Sequence, residues 1–148
     1  MEFQRTRYGY AVRIDAGEEI VESLAAFAAA QGVRAGSISG IGSVVDPELG
    51  YFVRQSRDYT RRVFAGDWEL GALTGNFSEL DGRPFPHCHA VIGGADYAAY
   101  AGHLFRGVVA VTCEAQVVTD TGVLRRVIRP DLGFNPLELG PAKRASNI

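Results

Sequence analysis

The sequence predicts one α/β domain of the α+β type, in which short strands outnumber helices. The chain has 148 residues, 47% of them apolar, and this length and composition suit a single domain with a substantial core. Its 18 glycines fall mostly between short apolar runs, which favours strands joined by tight turns over a helical bundle. One segment, Ile20 to Ala28, instead repeats its apolar residues at helical spacing.

The first expected elements are a strand and a helix. From Tyr8 to Ile14 the larger side chains alternate with smaller or polar ones, which is the period of a half-buried strand. Asp15 is followed three residues later by Glu18, as in a capping box, and Gly32 is a natural helix stop. The sequence therefore predicts a helix between these two signals.

A glycine-rich strand and loop is expected from Val33 to Val45. Within it, the small residues Gly40, Gly42 and Ser43 have two interpretations. Their free amides could line a pocket or hold an anion. Alternatively, the glycines permit a bulge or a turn, and this structural interpretation is favoured because the segment lacks the lysine of a phosphate-binding loop.

The middle of the chain predicts strands separated by turns. Asp46-Pro47 marks a turn, and further strands are expected over 49–53, 61–64 and 68–73. The pair Asp81-Gly82 is typical of a tight hairpin turn. A strand carrying two histidines follows this turn.

The last third predicts a long strand and a tail. Residues 96–100 could form one helical turn, and 108–118 is the longest β-branched run. Glu114 would then be a carboxylate on a largely buried strand, where it needs a partner. A last strand is expected over 123–128, and residues from about 131 to 148 form a C-terminal tail that wraps the domain and ends disordered.

The three histidines of the chain carry its clearest chemical signal. His87 and His89 stand two apart on an expected strand, so both imidazoles point to the same face. His103 follows beside Gly102, where the backbone can turn sharply. Three imidazole nitrogens can bind one metal ion. A histidine in an apolar strand is also commonly a hydrogen-bonded core residue, so a metal site and a structural role are both open.

Charge and cysteine content limit the other function classes. The net charge is −2, which does not by itself indicate a nucleic-acid or anionic-membrane surface. The densest basic run contains four arginines between residues 54 and 62, and such a run is usually a solvated surface. Only Cys88 and Cys113 are present, which fits a reducing compartment. With no signal peptide or membrane-length apolar run recognised, we expect a cytoplasmic protein.

Taken together, the motifs resemble one known family, the plants-and-prokaryotes-conserved (PPC) domain. The resemblance covers nearly the whole chain, with the motifs in the order of the family, and the combination of His-x-His with Gly-His-Leu is its most specific part. The matching residues are Gly40-Ile41-Gly42-Ser43, Glu69, Leu70, Leu73, Gly75-Asn76, His87-Cys88-His89, Gly102-His103-Leu104, Gly107 and Glu114.

The resemblance implies a stand-alone prokaryotic member spanning residues 1–148, with a largely antiparallel, mixed central sheet flanked by helices. It also implies a homotrimer. In plants the domain is joined to AT-hooks in DNA-binding regulators. Here Gly82-Arg83-Pro84 resembles an AT-hook core but follows Asp81 and lacks basic flanks, so DNA binding by this chain alone is not expected.

Two functions follow from these observations. In the first, a homotrimer holds a divalent metal, with zinc the leading candidate, on His87, His89 and His103, with Glu114 or Glu69 as a candidate base. Such a protein could be a metal-dependent enzyme acting on a small-molecule ligand. In the second, the chain is a DNA-associated regulatory module whose histidines are structural. The residues expected to line the pocket are Gly40, Gly42, Ser43, Asn76 and Gly102.

Overall fold

The computed structural model describes residues 1–140 and shows a sheet-dominated domain with one helix in that part of the chain. In chain order the elements are β1 (Glu2–Thr6), β2 (Gly9–Asp15), α1 (Ile20–Gln31), β3 (Gly36–Val53), β4 (Asp58–Val63), β5 (Asp67–Leu80), β6 (Arg83–Gly93), β7 (Ala99–Thr119), β8 (Arg125–Arg126) and β9 (Leu137–Glu138). No helix among the described residues is long and apolar enough to cross a membrane.

The strands form one nine-stranded sheet in the order β1-β2-β7-β3-β5-β8-β9. In addition, β4 pairs with β3, and β6 pairs with both β5 and β7. All pairs are antiparallel except the short contact of β5 with β8. The predicted largely antiparallel, mixed sheet is therefore confirmed.

The prediction that helices flank the sheet is wrong for the described residues, because α1 is their only helix. The helical turn expected over 96–100 is instead the turn from β6 to β7. There Tyr97 has a φ of 61°, Gly94 and Ala98 close the turn with a 3.0 Å backbone hydrogen bond, and β7 already begins at Ala99.

Helix α1 begins later than its predicted cap. Glu19 is the N-cap, and its carboxylate accepts a hydrogen bond from the Glu22 amide. The predicted cap, Asp15, is the last residue of β2, and its amide donates to the Glu18 carboxylate. Gly32 ends the helix in the left-handed conformation, with a φ of 66°, as predicted.

The core lies between α1 and one face of the sheet. The helix packs on β6 and β7, and its side chains Ile20, Leu24 and Phe27 are fully buried. Phe27 meets Phe77 of β5 at a ring-centroid distance of 6.3 Å. Burying each such side chain stabilises the fold by about 1.5–3 kcal/mol. The opposite face of the sheet has no helix over it in the described part of the chain.

Strand β3 is longer than predicted and contains irregularities. Asp46-Pro47 is not a strand-ending turn, since β3 continues through it with register shifts against β7 between Val45 and Leu49. A further irregularity, between Gly40 and Gly42 in the pairing with β5, confirms the bulge interpretation of the glycine segment. A Cβ at Gly42 would lie 2.2 Å from the Thr112 carbonyl oxygen, so the close approach of β7 requires glycine there.

The sheet also differs from prediction at both ends of the chain. Strand β1 was not expected, and the strand predicted over 123–128 is reduced to Arg125–Arg126. The tail adds β9, which pairs with β8. Disorder predicted at the end of the tail falls partly on residues 141–148, which lie outside the described residues.

Candidate metal centre

The candidate site is built by the pairing of three adjacent strands. His87 and His89 lie two apart on β6, as predicted. On one side of β6, β7 places His103 directly opposite His89. On the other side, β5 places Asn76 opposite His87. A sharp turn at Gly102 is not what brings His103 in, since Gly102 is paired with Ala90 within the same strand ladder.

The three imidazoles converge on one small volume. One nitrogen of each ring lies within 4.8 Å of one nitrogen of each of the other two. The ring centroids of His87 and His103 are 4.8 Å apart, and His89 lies 5.4 Å from each of them. Nitrogens that bind one tetrahedral zinc ion at about 2.0–2.1 Å lie roughly 3.4 Å apart. The cluster is therefore close to the spacing that a single ion requires.

His103 has an unsatisfied nitrogen that fits a metal ligand. Its Nδ1 is buried and has no hydrogen-bond partner among the described residues. The ring lies against the aromatic rings of Tyr59 and Phe105, at centroid distances of 5.3 and 4.6 Å. Buried polar atoms are almost always partnered, so an orphaned nitrogen on one ring of this histidine cluster favours a bound ion or ligand.

Arg126 is a fourth residue of the site that the sequence analysis did not identify. Its guanidinium lies beside His87, with Nη2 2.9 Å from the His87 Nδ1 and 2.9 Å from the Asn76 Oδ1. The Arg126 Nε donates to the Ser78 hydroxyl at 2.9 Å, and Nη1 donates to the Asn135 carbonyl at 2.8 Å. Arginine has only donors, so the His87 Nδ1 must accept this bond.

The surroundings keep the imidazoles neutral. Burial lowers the pKa of His87 from 6.5 to about 4, with further lowering by the positive charge of Arg126 and by His89. Burial also lowers the pKa of His103 to about 4, with contributions from the other two histidines, Arg126 and Arg61. Burial lowers the pKa of His89 as well. All three rings are therefore neutral at pH 7, the form in which imidazole binds metals.

The structure divides the residues predicted to line the pocket into two groups. Asn76 is linked to the histidines because it accepts a hydrogen bond from Arg126, which also contacts His87. Gly102 directly precedes His103 in β7. Gly42 and Ser43 instead line an open cavity of about 600 Å³ together with Glu69 and Glu114. Gly40 lines a neighbouring cavity of about 650 Å³ that also includes Glu114. None of the three histidines lines either cavity.

The two candidate carboxylates lie away from the histidines. Glu114 is eleven residues from His103 along β7, and the β3 residues paired with the two, Ile41 and Gly50, are nine residues apart, or roughly 30 Å of strand. Glu69 pairs with Gly93, four residues along β6 from His89, which corresponds to about 13 Å. Neither carboxylate is placed to act as a base on a ligand held by the histidines of the same chain.

The prediction that Glu114 is buried is also wrong. Cys113, Ala115 and Val117 point into the core, as the alternation predicts, and Glu114 points to the opposite, exposed face. Within a single chain no helix of the described residues lies over that face, so the carboxylate needs no buried partner from its own chain. Val111 is two residues from Cys113, so simple alternation would place it on the core face, but it is 69% exposed because the register of β3 and β7 shifts between Gly42 and Val44.

Solved structures share this fold over nearly their whole length. A proposed DNA-binding protein from Bacteroides thetaiotaomicron is 32% identical, with a TM-score of 0.88, and the match covers 93% of this chain and 96% of that one. A metal-containing protein from Archaeoglobus fulgidus is 30% identical, with a TM-score of 0.83 and coverage of 93% and 97%. No curated protein matches the chain.

A third structure and the family comparison agree on the classification. The plant- and prokaryote-conserved (PPC) protein of Pyrococcus horikoshii is 29% identical, with a TM-score of 0.83, and the match covers 95% of each chain. The model of the Plants and Prokaryotes Conserved (PCC) domain matches residues 1–121, which include all three histidines. The chain therefore belongs to the Plants and Prokaryotes Conserved domain family, as its motifs predicted.

Proposed function

We propose that the protein is a homotrimer that holds one divalent metal ion per chain on His87, His89 and His103. The observation that carries this proposal is the convergence of three neutral imidazoles, one of them with a buried, unpartnered nitrogen. The description of the Archaeoglobus fulgidus relative as metal-containing gives independent support.

Zinc is the first candidate for the ion. Neutral imidazole suits zinc, and three protein ligands with one open position are typical of zinc sites that take a water or a ligand. A zinc ion held there would lower the pKa of a bound water and polarise ligand oxygens. The histidines hold the ion, and the rings of Tyr59 and Phe105 shield the His103 side of the site from water. A reaction on a small molecule would have to proceed without Glu69 or Glu114 of the same chain.

The trimer is proposed from the family and from the uncovered sheet face. Ile41 and Val111, 61% and 69% exposed, line the same open cavity on that face. Val118 adds a third exposed apolar side chain, 51% exposed, at the far end of β7. A face of this kind is a natural surface for self-association. Light scattering coupled to size exclusion tests it: three chains of 15.9 kDa give about 48 kDa, and a monomer at micromolar concentration would contradict the trimer.

Elemental analysis of the purified protein tests the metal site. We expect about one zinc per chain after dialysis against metal-free buffer, and a matched His103→Gln variant that retains well below one. A wild-type protein that holds no divalent metal after incubation with zinc, while folded by circular dichroism, would contradict the proposal. Tyr59→Phe is the control, because it keeps the ring beside His103 and removes no ligand.

DNA association is the second candidate, favoured by the name of the Bacteroides thetaiotaomicron relative. Its basic residues would be the exposed arginines of the β3–β4 hairpin. Arg57 already donates to the Asp131 carbonyl, Arg61 lies over the Phe105 ring at 3.6 Å, and Arg62 lies over Phe64 at 4.5 Å. We expect weak duplex binding at about 0.15 M salt. Tight binding that falls steeply as salt rises would favour this alternative.

A further inference from the structure

We propose that the metal-loaded histidine centre binds an anionic oxygen group of a small molecule, a carboxylate or a phosphate, and that Arg126 is the residue that receives it. The inference rests on the proposed metal centre and extends it from the ion to the class of ligand. Three observations carry it: the hydrogen bonds of Arg126, the charge around the cluster, and the rigid support of the guanidinium.

Metal binding by His87 must release a donor of Arg126. In the structure the Arg126 Nη2 donates to the His87 Nδ1 at 2.9 Å. A metal-bound neutral imidazole has its lone pair on the ion and a proton on its other nitrogen, so it has no acceptor left for an arginine. This holds whichever nitrogen takes the ion. Loading therefore leaves one N–H of Arg126 without its partner, next to the His87 ring.

The site also lacks negative charge. The partners of Arg126 are a hydroxyl, an amide oxygen, a backbone carbonyl and an imidazole, and no carboxylate pairs with it among residues 1–140. Arg61 adds a second positive charge, over the Phe105 ring that adjoins His103. Three neutral imidazoles leave the charge of a divalent ion uncompensated. A half-buried concentration of positive charge of this kind strongly favours an anionic ligand.

The guanidinium is held in place before any ligand arrives. Arg126 is only 9% exposed, its Nε bonds Ser78, and its Nη1 bonds the Asn135 carbonyl of the tail. The Phe85 ring lies 5.2 Å from the guanidinium carbon. A guanidinium fixed in this way can bind two oxygens of one ligand with little loss of side-chain entropy. This property is a common reason why arginine is found at carboxylate and phosphate sites.

The test uses the full-length protein loaded with cobalt(II), whose visible absorption reports both the metal and its surroundings. Sodium acetate and inorganic phosphate are titrated separately at constant ionic strength. We expect saturable spectral changes, and the tighter of the two anions identifies the ligand class. Arg126→Gln should bind cobalt at least as tightly as the wild type, since it removes a competing donor and a like charge. Its affinity for the anion should fall about ten- to hundredfold, the loss expected for one charge-assisted hydrogen bond.

The matched control is Arg125→Gln, which changes the neighbouring, exposed arginine of β8 and touches none of the histidines. It should leave both affinities unchanged. A second measurement avoids dependence on the folding of Arg126→Gln: in the zinc-loaded wild type, the Nε resonance of Arg126 should shift as the anion saturates. Three outcomes would each overturn this inference while leaving the metal centre standing. They are cobalt binding with no response to either anion, an unshifted Arg126 resonance, and an unchanged anion affinity in Arg126→Gln. Failure of the wild type to bind cobalt would overturn the metal centre and this inference together.

Discussion

Acidification of the metal-free protein offers a direct test of how the histidine cluster is buried. The pKa values of His87 and His103 are lowered from 6.5 to about 4. The unfolded chain takes up these two protons near pH 6.5, whereas the native state does not until the pH approaches 4. Between these values the unfolded state binds more protons, so stability must fall as the pH falls. Above pH 6.5 the contribution is constant.

The size of this loss follows from the pKa values. Between pH 6.5 and 5.0, each histidine that stays neutral in the native state lowers the free energy of unfolding by at most about 2 kcal/mol, at 1.36 kcal/mol per pH unit. Both rings are half-buried and keep contact with water, which reduces the loss to about 1 kcal/mol each. The pair therefore predicts a decrease of about 2 kcal/mol in the free energy of unfolding, or about 1 M in the urea midpoint.

Urea unfolding at pH 7.5 and 5.0, in the presence of a chelator, measures this decrease. The control is the double variant His87→Gln/His103→Gln, which removes both titrating groups and should lose much less stability over the same interval. Ion pairs do not obscure the result, because cationic partners lower the pKa values of Asp15, Glu18 and Glu79. Their stabilisation is lost only at more acidic pH. Parallel losses in wild type and double variant would refute the argument.

Three further predictions concern the strands and ligands of the site. Gly75→Ala places a Cβ 2.3 Å from the His87 carbonyl oxygen, so it should cost about 1–3 kcal/mol of stability and weaken cobalt binding. Gly71→Ala on the same strand is the control, because its Cβ would lie 3.7 Å from the nearest atom. Urea unfolding and cobalt titration should show it to be nearly neutral. His89 is exposed, so His89→Gln should change the stability of the metal-free protein by no more than about 0.5 kcal/mol. Its zinc affinity should nevertheless fall by more than about 100-fold, because loss of a residue that only supports a metal ligand typically costs about 10–100-fold. Free zinc at 100 times its Kd should add about 2.7 kcal/mol to the free energy of unfolding, and a chelator should reverse this gain. The first prediction would be contradicted if Gly75→Ala and Gly71→Ala were equally stable. The second would be contradicted by an unchanged zinc affinity in His89→Gln, and the third by a denaturation midpoint that does not respond to zinc.

The parts of the site that depend on local pattern were predictable from the sequence. The two-residue spacing of His87 and His89 fixed their common face, and Asp81-Gly82 indicated the turn that starts β6. Helix α1 followed from its apolar periodicity and from Gly32. Each of these signals lies within a few residues of the structure that it predicts.

The non-local parts were not predictable in the same way. His103 reaches the site because β7 pairs with β6, and a single sequence does not state which strands are neighbours. The burial of Glu114 was wrong because only one face of β7 is covered, and that depends on the number of helices. Arg126 is hydrogen-bonded to Asn76, fifty residues earlier in the chain. The one local signal for it was an arginine pair inside a short apolar run, where one of the two must point inward.

The positions of these residues also separate two properties of the centre. The proposed metal ligands lie on β6 and β7, inside the part of the chain that matches the family. Arg126 and its support at Asn135 lie after residue 121, outside the matched part, and β8 with the tail brings them onto β5. A change in this late segment can therefore alter the charge that faces a ligand without replacing any of the three histidines, although Arg126 itself contacts His87. Under the two proposals, metal retention depends on β6 and β7 and ligand choice on β8, so substitutions at Arg126 should weaken anion binding while metal affinity stays at least as high.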